Sequence, residues 1–242
     1  GGSLEQIVHY LNVLHVLQEL GVPVYNDGRA IERAVDKSLT TLRLRAAGLP
    51  TPDTWVCAQP AQAQALVQQH ASPGRPLVCK PLFGSQGRGV VPVSGVADLP
   101  AAAEGGVWYL QRLIVSDAPA GMVSDWRVFV IAGRAVAAMR RTAPGLLANV
   151  AQGARCDAAL AEGPAAALAE AAVRSLDIAY AGVDVMRDSA GQWWLIEVNS
   201  VPAWKGLQGV TGVDIADALV RDLLRRCAVV PTAAETPAEA AS

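Results

Sequence analysis

The chain has 242 residues and a formal net charge of −2. This length is enough to bury a full hydrophobic core, either in one large domain or in two lobes. No run of Lys or Arg exceeds a pair, which argues against the basic surface of a nucleic-acid-binding protein. No apolar run approaches the roughly 18 residues that a transmembrane helix needs, so we expect a globular protein without a membrane partner.

The cysteines are far apart and lack the C-x-x-C spacing of zinc or redox motifs. They are Cys57, Cys79, Cys156 and Cys227. Buried, reduced thiols are typical of cytosolic proteins, so we expect a cytoplasmic location.

The N-terminal part of the chain is predicted to be largely helical. Apolar residues recur at helical spacing up to Gly21. Because the chain begins with Gly1 rather than Met, we interpret residues 1–29 as the remnant of a truncated N-terminal domain. Residues 22–25 are predicted to form a short strand and residues 30–47 a helix.

Hydrophobic periodicity and turn signals predict the remaining elements, and we interpret residues 30–228 as the main domain. A small lobe at about 51–112 is predicted to contain strands at 54–57, 77–80, 90–93 and 107–114 and a helix at 61–70. The rest is predicted to contain strands at 126–131 and 135–139, an acidic hairpin, and helices at 164–176 and 214–227. The polar, Ala/Pro-rich tail, residues 229–242, is predicted to be disordered.

The acidic hairpin carries polar residues that a buried strand would avoid, in Gly182-Val-Asp184-Val-Met and Ile196-Glu197-Val-Asn199. Alternation places Glu197 and Asn199 on one face, and a hairpin centred between residues 190 and 191 sets Asp184 opposite Glu197. Two carboxylates and an amide suit Mg²⁺, or Mn²⁺, shared with nucleotide phosphates. The alternative is a solvated hairpin with one polar face. The apolar neighbours of Glu197 would make an unpaired carboxylate costly there.

A glycine-rich loop, Lys80-Pro-Leu-Phe-Gly84-Ser85-Gln86-Gly87-Arg88-Gly89, lies between two strand-like runs. Glycines allow successive backbone amides to turn inward and form an anion-binding nest. The order of the glycines argues against a dinucleotide fingerprint, and the position of the lysine argues against a Walker A loop. A phosphate-binding lid fits better than an ordinary glycine-rich hairpin. The residues predicted to bind nucleotide phosphates are Lys80, Gly84, Ser85, Gln86, Gly87 and Gly89.

Further charged residues lie in the predicted strand pair. Asp125 and Arg127 share one face of the first strand, and Arg140 and Arg141 lie at the end of the second. Fixed cations stabilise the negative charge that develops during phosphoryl transfer, so we predict catalytic roles for these three arginines. A surface ion pair between Asp125 and a nearby arginine is the alternative.

These motifs occur in the order and spacing of a known family. Lys80 with the glycine loop, Tyr109-Leu-Gln-Arg-Leu-Ile, Asp125-x-Arg127 and the acidic hairpin together resemble the ATP-grasp ligases. The chain is most similar to the RimK-type amino-acid ligases, over roughly residues 30–227. The resemblance implies an α/β (α+β) ATP-grasp fold with ATP between two α+β lobes.

The same resemblance implies roles for individual residues. Lys80 binds ATP phosphate, and Asp125 contacts the nucleotide. Asn149 lies near the phosphates and Arg141 near an acyl phosphate. The adenine pocket is lined, partly through backbone, by Gln111, Arg112 and Leu113. The magnesium ligands are Asp184, Glu197 and Asn199.

The implied reaction is ATP-dependent amide formation through an acyl phosphate, with glutamate as the incoming amine and a small molecule or peptide as the carboxylate acceptor. Protein-modifying relatives carry an arginine where this chain has Leu147, and Ser200-Val-Pro-Ala-Trp204-Lys205 looks like members linked to tetrahydromethanopterin-type cofactor assembly. We therefore favour a cofactor precursor, against which Trp204 would stack while Lys205 pairs with a carboxylate. Packing of Trp204 into the core, with a solvated Lys205, is the alternative.

Other functions stay open at this point. They are a ribosomal-protein-modifying glutamate ligase, a degenerate nucleotide-binding regulatory module, and a kinase-like phosphotransferase. The last is disfavoured because the chain lacks H-R-D and D-F-G signatures. The sequence leaves a homo-oligomer open.

Overall fold

The computed structural model describes residues 4–84, 87–150 and 153–229. The predicted phosphate ligands Ser85 and Gln86 lie outside the described residues, as does the predicted tail from residue 230 onward. Val229, which was predicted to begin that tail, instead ends the last helix.

The N-terminal part forms three helices, α1 (Leu4–Glu19), α2 (Gly28–Val35) and α3 (Lys37–Ala46). The prediction of a strand at 22–25 is wrong, because this segment follows the cap of α1 and pairs with no described strand. The predicted single helix at 30–47 is interrupted at Asp36. The Asp36 carboxylate accepts hydrogen bonds from the amides of Ser38 and Leu39, so it starts a new helix.

The first sheet is antiparallel and has the order β1-β4-β2-β3. Its strands are β1 (Thr54–Cys57), β2 (Leu77–Lys80), β3 (Val91–Val93) and β4 (Trp108–Arg112). Helix α4 (Pro60–His70) covers one face, where Ala63 and Val67 pack against Leu77, Val93 and Leu110. The opposite face carries a polar network that includes Lys80 and Tyr109, which line a cavity shared with the second sheet.

The second sheet is also antiparallel and has the order β7-β6-β5-β8-β9. Its strands are β5 (Met122–Ile131), β6 (Arg134–Pro144), β7 (Arg155–Ala159), β8 (Tyr180–Arg187) and β9 (Trp193–Asn199). Strands β5 and β6 are longer than predicted, and β7 was not predicted because its five residues lack clear apolar alternation.

Helices cover both faces of the second sheet. They are α5 (Gly163–Leu176), α6 (Lys205–Gln208) and α7 (Ile215–Val229). On one face, α5 packs its alanine-rich stripe against Val128, Val130 and Val183. On the other face, Phe129 and Ile131 pack against Leu207 of α6 and Ile215 of α7. Because side chains alternate along β5, Asp125 and Arg127 lie on the same face as Phe129.

Asn26 joins the N-terminal segment to the second sheet. Its buried amide oxygen accepts from the backbone N–H groups of Ala179 and Tyr180, at 2.9 and 3.2 Å. Its amide nitrogen donates to the carbonyls of Tyr180 and Ser200, at 2.7 and 2.8 Å. Four hydrogen bonds therefore fix the start of β8 and the segment that follows β9. Among the described helices, none is long and apolar enough to cross a membrane.

Candidate active site

A cavity of about 480 Å³ lies between the two sheets. Its wall is formed by β2 and the glycine loop, by α3, by the polar ends of β5, β6, β8 and β9, and by the segments before β7 and around α6. This volume is in the range of small-molecule sites. The predicted site residues that line it are Lys80, Gly84, Gly87, Asp125, Arg127, Arg141, Asn149, Asp184, Glu197 and Asn199.

Two arginines and two aspartates form a buried cluster on the floor of the cavity. Arg141 donates from Nε and Nη2 to the two oxygens of Asp125, at 2.7 and 2.5 Å. The same Nη2 lies 3.0 Å from Oδ2 of Asp184. Arg127 also binds Asp184 through two nitrogens, with Nη2 at 2.9 Å. The alternative of an ion pair between Asp125 and a nearby arginine is thus present, but its surface location is wrong, because Asp125 and Arg141 are only 7% and 5% exposed.

The pKa values of the two carboxyl groups in this cluster shift in opposite directions. Burial disfavours the charge on Asp184, but Arg127 and Arg141 outweigh it and lower the pKa of Asp184 to about 2. Burial raises the pKa of Asp125, because Arg141 offsets only part of the desolvation cost while it also binds Asp184. Asp184 is therefore a permanent anion at neutral pH.

The acidic hairpin has the predicted pairing of Asp184 with Glu197, but its turn is centred on Ala190, because Val185 pairs with Leu195 and Arg187 with Trp193. Asp184 is directly opposite Glu197, and Gly182 is opposite Asn199. The register shifts next to Asp184, because Ile196 is an extra residue between Leu195 and Glu197. Without this bulge, Asp184 would face Ile196. The irregularity therefore brings the two carboxylates to one face of the sheet.

The donor set of the hairpin fits Mg²⁺ that is shared with a phosphate. Mg²⁺ takes oxygen ligands and commonly uses only one or two protein carboxylates. Glu197 lies 3.6 Å from Nζ of Lys37, and the amide oxygen of Asn199 accepts from the backbone N–H of Val201 at 2.9 Å. No group of three His, Cys, Asp or Glu side chains in the described part of the chain is arranged to hold a metal by itself. The remaining ligands would have to come from substrate and water.

Lys80 lies at the end of a polar network in the first sheet. Its Nζ donates to the amide oxygen of Gln111 at 2.7 Å. The amide nitrogen of Gln111 donates to the hydroxyls of Thr54 and Tyr109, each at 3.1 Å. Burial lowers the pKa of Lys80 to about 8, although Glu197 and Asp184 favour its charged form. Anionic phosphates next to Lys80 would restore its full charge.

Lys37 is a cavity residue that we did not predict from the sequence. It is the first residue of α3, and its Nζ donates to the carbonyl of Gly84 at 2.6 Å. The same nitrogen lies 3.6 Å from Glu197. Lys37 thus connects the glycine loop to the acidic hairpin. A single lysine at the start of a helix has no local signal that distinguishes it from a solvated one.

The glycine loop uses backbone conformations that favour glycine. Gly87 and Gly89 have φ angles of +68° and +70°. A Cβ at Gly89 would also lie 2.7 Å from Cγ of Pro81. Larger residues at Gly89 would therefore be strained and would displace Pro81.

Five predicted site residues are absent from the described wall of the cavity, and these are Gly89, Gln111, Arg112, Leu113 and Arg140. Arg140 neighbours Arg141 on β6 and so points to the opposite face, where it donates to Ser124 and stacks on Trp126. Arg112 donates to the backbone carbonyls of His70 and Arg75 on the outer side of the first sheet. Gln111 is connected to the cavity through the hydrogen bond that it accepts from Lys80.

The predicted stacking surface at Trp204 is also wrong. The Trp204 ring packs edge-on against Phe129, with 6.0 Å between ring centroids, as part of the apolar cluster with Leu207. Among the described residues, Trp204 is not part of the cavity wall, whereas its neighbour Lys205 is.

Comparison with protein families and sequences identifies relatives. A family model for the RimK-like ATP-grasp domain matches residues 34–223. The tetrahydromethanopterin:alpha-L-glutamate ligase of Methanococcus maripaludis is 31% identical over 92% of this chain and 76% of that protein. Probable alpha-L-glutamate ligases of Parasynechococcus marenigrum and Shewanella halifaxensis are 32% and 31% identical over 91% and 86% of this chain. The chain spans 47% and 46% of those two proteins, about half of their length.

Comparison with solved structures shows the fold. The ATP-grasp ligase PsnB, complexed with a minimal precursor, has a TM-score of 0.65 and 22% identity over 92% of this chain and 71% of that chain. D-alanine–D-alanine ligase from Bacillus anthracis has a TM-score of 0.64 and 19% identity over 88% of this chain and 75% of that chain. The predicted α+β ATP-grasp fold is therefore confirmed.

Proposed function

The chain belongs to the RimK-like ATP-grasp family, and from this membership we propose that it is an ATP-dependent carboxylate–amine ligase. In the proposed reaction, the γ-phosphoryl group of ATP is transferred to a substrate carboxylate. An amine then attacks the acyl phosphate, and an amide bond forms as phosphate leaves.

The observation that carries this proposal is that a lysine and two carboxylates lie on opposite walls of the cavity. Lys80 and the glycine loop lie on the wall formed by the first sheet, and Asp184 and Glu197 lie on the wall formed by the second. A triphosphate that spans the cavity would contact the cations at one side and reach the carboxylates at the other. Cations and amides that are already in position stabilise developing charge without reorganisation.

Asp184, Glu197 and Asn199 would hold Mg²⁺, which neutralises phosphate charge when it is bound. Lys80 would bind phosphate oxygens from the β2 side of the cavity, and Lys37 would hold the loop through the carbonyl of Gly84. Little covalent chemistry is required of the protein, so positioning and charge neutralisation would supply catalysis.

Arg127 and Arg141 would act as fixed cations next to the reacting groups. Their guanidinium groups are held in place by Asp125 and Asp184, and both side chains line the cavity. A cation that is already oriented loses less entropy when charge develops on a phosphoryl or acyl oxygen. We do not extend this role to Arg140, whose side chain is on the other face of β6.

For the incoming amine we propose glutamate, and for the acceptor a carboxylate on a small cofactor precursor or peptide. The support is the 31% identity to the tetrahydromethanopterin:alpha-L-glutamate ligase and the names of the other glutamate ligases. We also propose Mn²⁺ as a replacement for Mg²⁺, and a cytoplasmic location. The four free cysteines suit the reducing conditions of that compartment.

The test is ADP release by the protein with ATP, Mg²⁺, L-glutamate and an acceptor panel, with products identified by mass spectrometry. The panel contains pterin-type carboxylates, short peptides and a ribosomal-protein tail. We expect ADP release that depends on both glutamate and an acceptor, with a mass gain of one or more glutamyl groups. ADP formation with a phosphorylated product and no amide would support a phosphotransferase instead. Tight ATP binding without any turnover would support a regulatory module.

A further inference from the structure

The basic residues of this chain are distributed unequally between lysine and arginine. Of 20 basic residues, only three are lysines: Lys37, Lys80 and Lys205. Six basic residues line the cavity, and all three lysines are among them. Random placement would put about one lysine there. In a chain that otherwise uses arginine, lysine therefore occurs only at the cavity. A lysine ammonium is a compact point charge and an arginine guanidinium is planar, so the two side chains bind ligands differently.

The cavity has more positive than negative charge. The six cations are Lys37, Lys80, Arg88, Arg127, Arg141 and Lys205. Three carboxylates face them. Asp125 and Asp184 pair with Arg127 and Arg141, and Glu197 pairs with Lys37. Three cations thus have no carboxylate partner among the described residues.

The cations without carboxylate partners lie in two places. Lys80 and Arg88 belong to β2 and the glycine loop, on the side where the proposed function places the triphosphate. Lys205 is the first residue of α6, beyond the acidic hairpin. Its ammonium group makes no hydrogen bond or ion pair with the described part of the chain. It is exposed at the cavity wall.

Apolar residues lie near Lys205 on the cavity wall. Val201 and Ala203 precede Lys205 closely in the chain, and with Val150 they line the cavity. A Cβ added at Gly206 would lie 3.2 Å from Cγ1 of Val150, so α6 packs tightly against the segment before β7. A cation beside apolar walls suits a carboxylate that is attached to an apolar or aliphatic body.

We propose that Lys205 is a specificity-determining residue that binds a non-reacting carboxylate of a substrate. This inference rests on the proposed function, in which one carboxylate is activated and the others must be held. The carboxylate has two sources, the incoming amino acid or a second carboxylate of the acceptor. Lys205 would orient a carboxylate from either source. ATP binding would not depend on Lys205.

Lysine acetylation gives a direct binding test, because the chain has only three lysines to follow. The protein is loaded with Mg²⁺ and a non-hydrolysable ATP analogue and treated with an acetylating reagent, and modification of Lys205 is followed by mass spectrometry. Glutarate represents the amino-acid carboxylates without the amine, and folate represents a pterin that carries carboxylates. We expect one of them to slow acetylation of Lys205 at least threefold, compared with chloride at equal ionic strength. Protection by glutarate or by folate alone identifies the source.

A kinetic test compares Lys205→Met with Lys205→Arg. We expect Lys205→Met to raise KM for glutamate or for the acceptor about tenfold with KM for ATP unchanged, and Lys205→Arg to recover part of the loss. Arg134→Met is the matched control, because Arg134 is exposed at the far end of the β5–β6 hairpin. It should leave every KM unchanged.

The outcomes separate this inference from the proposed function. Lack of protection by both probes, or unchanged KM values in Lys205→Met, overturns the role of Lys205 and leaves the ligase intact. Protection of Lys205 in a wild-type protein that releases no ADP with any acceptor keeps the carboxylate site and overturns the ligase.

Discussion

Lys80 combines two properties that oppose each other, a partly buried position that disfavours its charge and a role that requires charge. Its pKa is lowered to about 8, so it loses its proton as the pH rises through that value. The charged form binds phosphate, so ATP affinity should be constant below pH 7.5 and fall above pH 8, by about tenfold per pH unit beyond pH 9. Calorimetry from pH 6.5 to 10 measures the affinity and the proton uptake that accompanies binding.

Two variants of Lys80 serve as controls for this pH dependence. Lys80→Arg retains its charge over the whole range, so its affinity should vary little with pH even if it is weaker. Lys80→Met should be at least about tenfold weaker than wild type at pH 7 and equally insensitive to pH. An unchanged slope in either variant would assign the titration to another group.

The two hairpin carboxylates should respond differently to removal of their charge. Glu197 is partly exposed and lies 3.6 Å from Lys37, so Glu197→Gln should change the free energy of unfolding by less than about 1 kcal/mol. Asp184 is buried between Arg127 and Arg141, so Asp184→Asn should cost about 3 kcal/mol by leaving buried cations in excess. Both variants should lose most ADP release. Chemical denaturation and the ligase assay together measure the contrast.

Retention of full activity by Glu197→Gln would reject the proposed metal site. Equal destabilisation by both substitutions would instead mean that the charge of Asp184 is not needed to balance Arg127 and Arg141 in the folded protein.

At the scale of elements, the segment between α1 and α2 should contribute strongly to stability. Asn26→Ala removes the partners of four backbone groups near the start of β8 and the end of β9. Buried backbone groups without partners cost about 1–3 kcal/mol each, so we expect a loss of at least about 3 kcal/mol in the free energy of unfolding. Asn26→Asp keeps an acceptor and loses the donor, so it should lie between Ala and wild type. A loss below about 1 kcal/mol for Asn26→Ala would contradict this role.

At the scale of the whole molecule, nucleotide and metal should stabilise the protein only together. The cavity joins two sheets, and the described residues hold no group of three His, Cys, Asp or Glu side chains that could bind a metal. Mg²⁺ alone should therefore shift the melting temperature by less than 1 °C. Mg²⁺ with an ATP analogue at 100 times its Kd should add about 2.7 kcal/mol. Thermal denaturation with each ligand, with both, and after addition of EDTA makes the comparison. A large shift with Mg²⁺ alone would indicate a metal site independent of the nucleotide.

Local patterns determined much of the architecture. Strands β1 and β2 have the bounds predicted from alternation and from the turns that flank them. The pairing of Asp184 with Glu197 was also predicted, from a regular hairpin centred between residues 190 and 191, whereas the structure reaches it through the bulge at Ile196. The family resemblance identified the ATP-grasp fold from the order of motifs whose spacing is visible in the chain.

Only the tertiary structure decided how the charged side chains of the cavity are oriented and paired with one another. Arg140 and Arg141 are adjacent and must point to opposite faces, but the register of β6 on β5 determines that Arg141 faces the cavity. Lys37 contacts Glu197 across 160 positions, and Asn26 contacts Ser200 across 174. Such contacts depend on how sheets and helices pack, and no local propensity specifies them. The sequence by itself therefore determined the elements and the family, while packing between distant elements determined the charge pattern of the site.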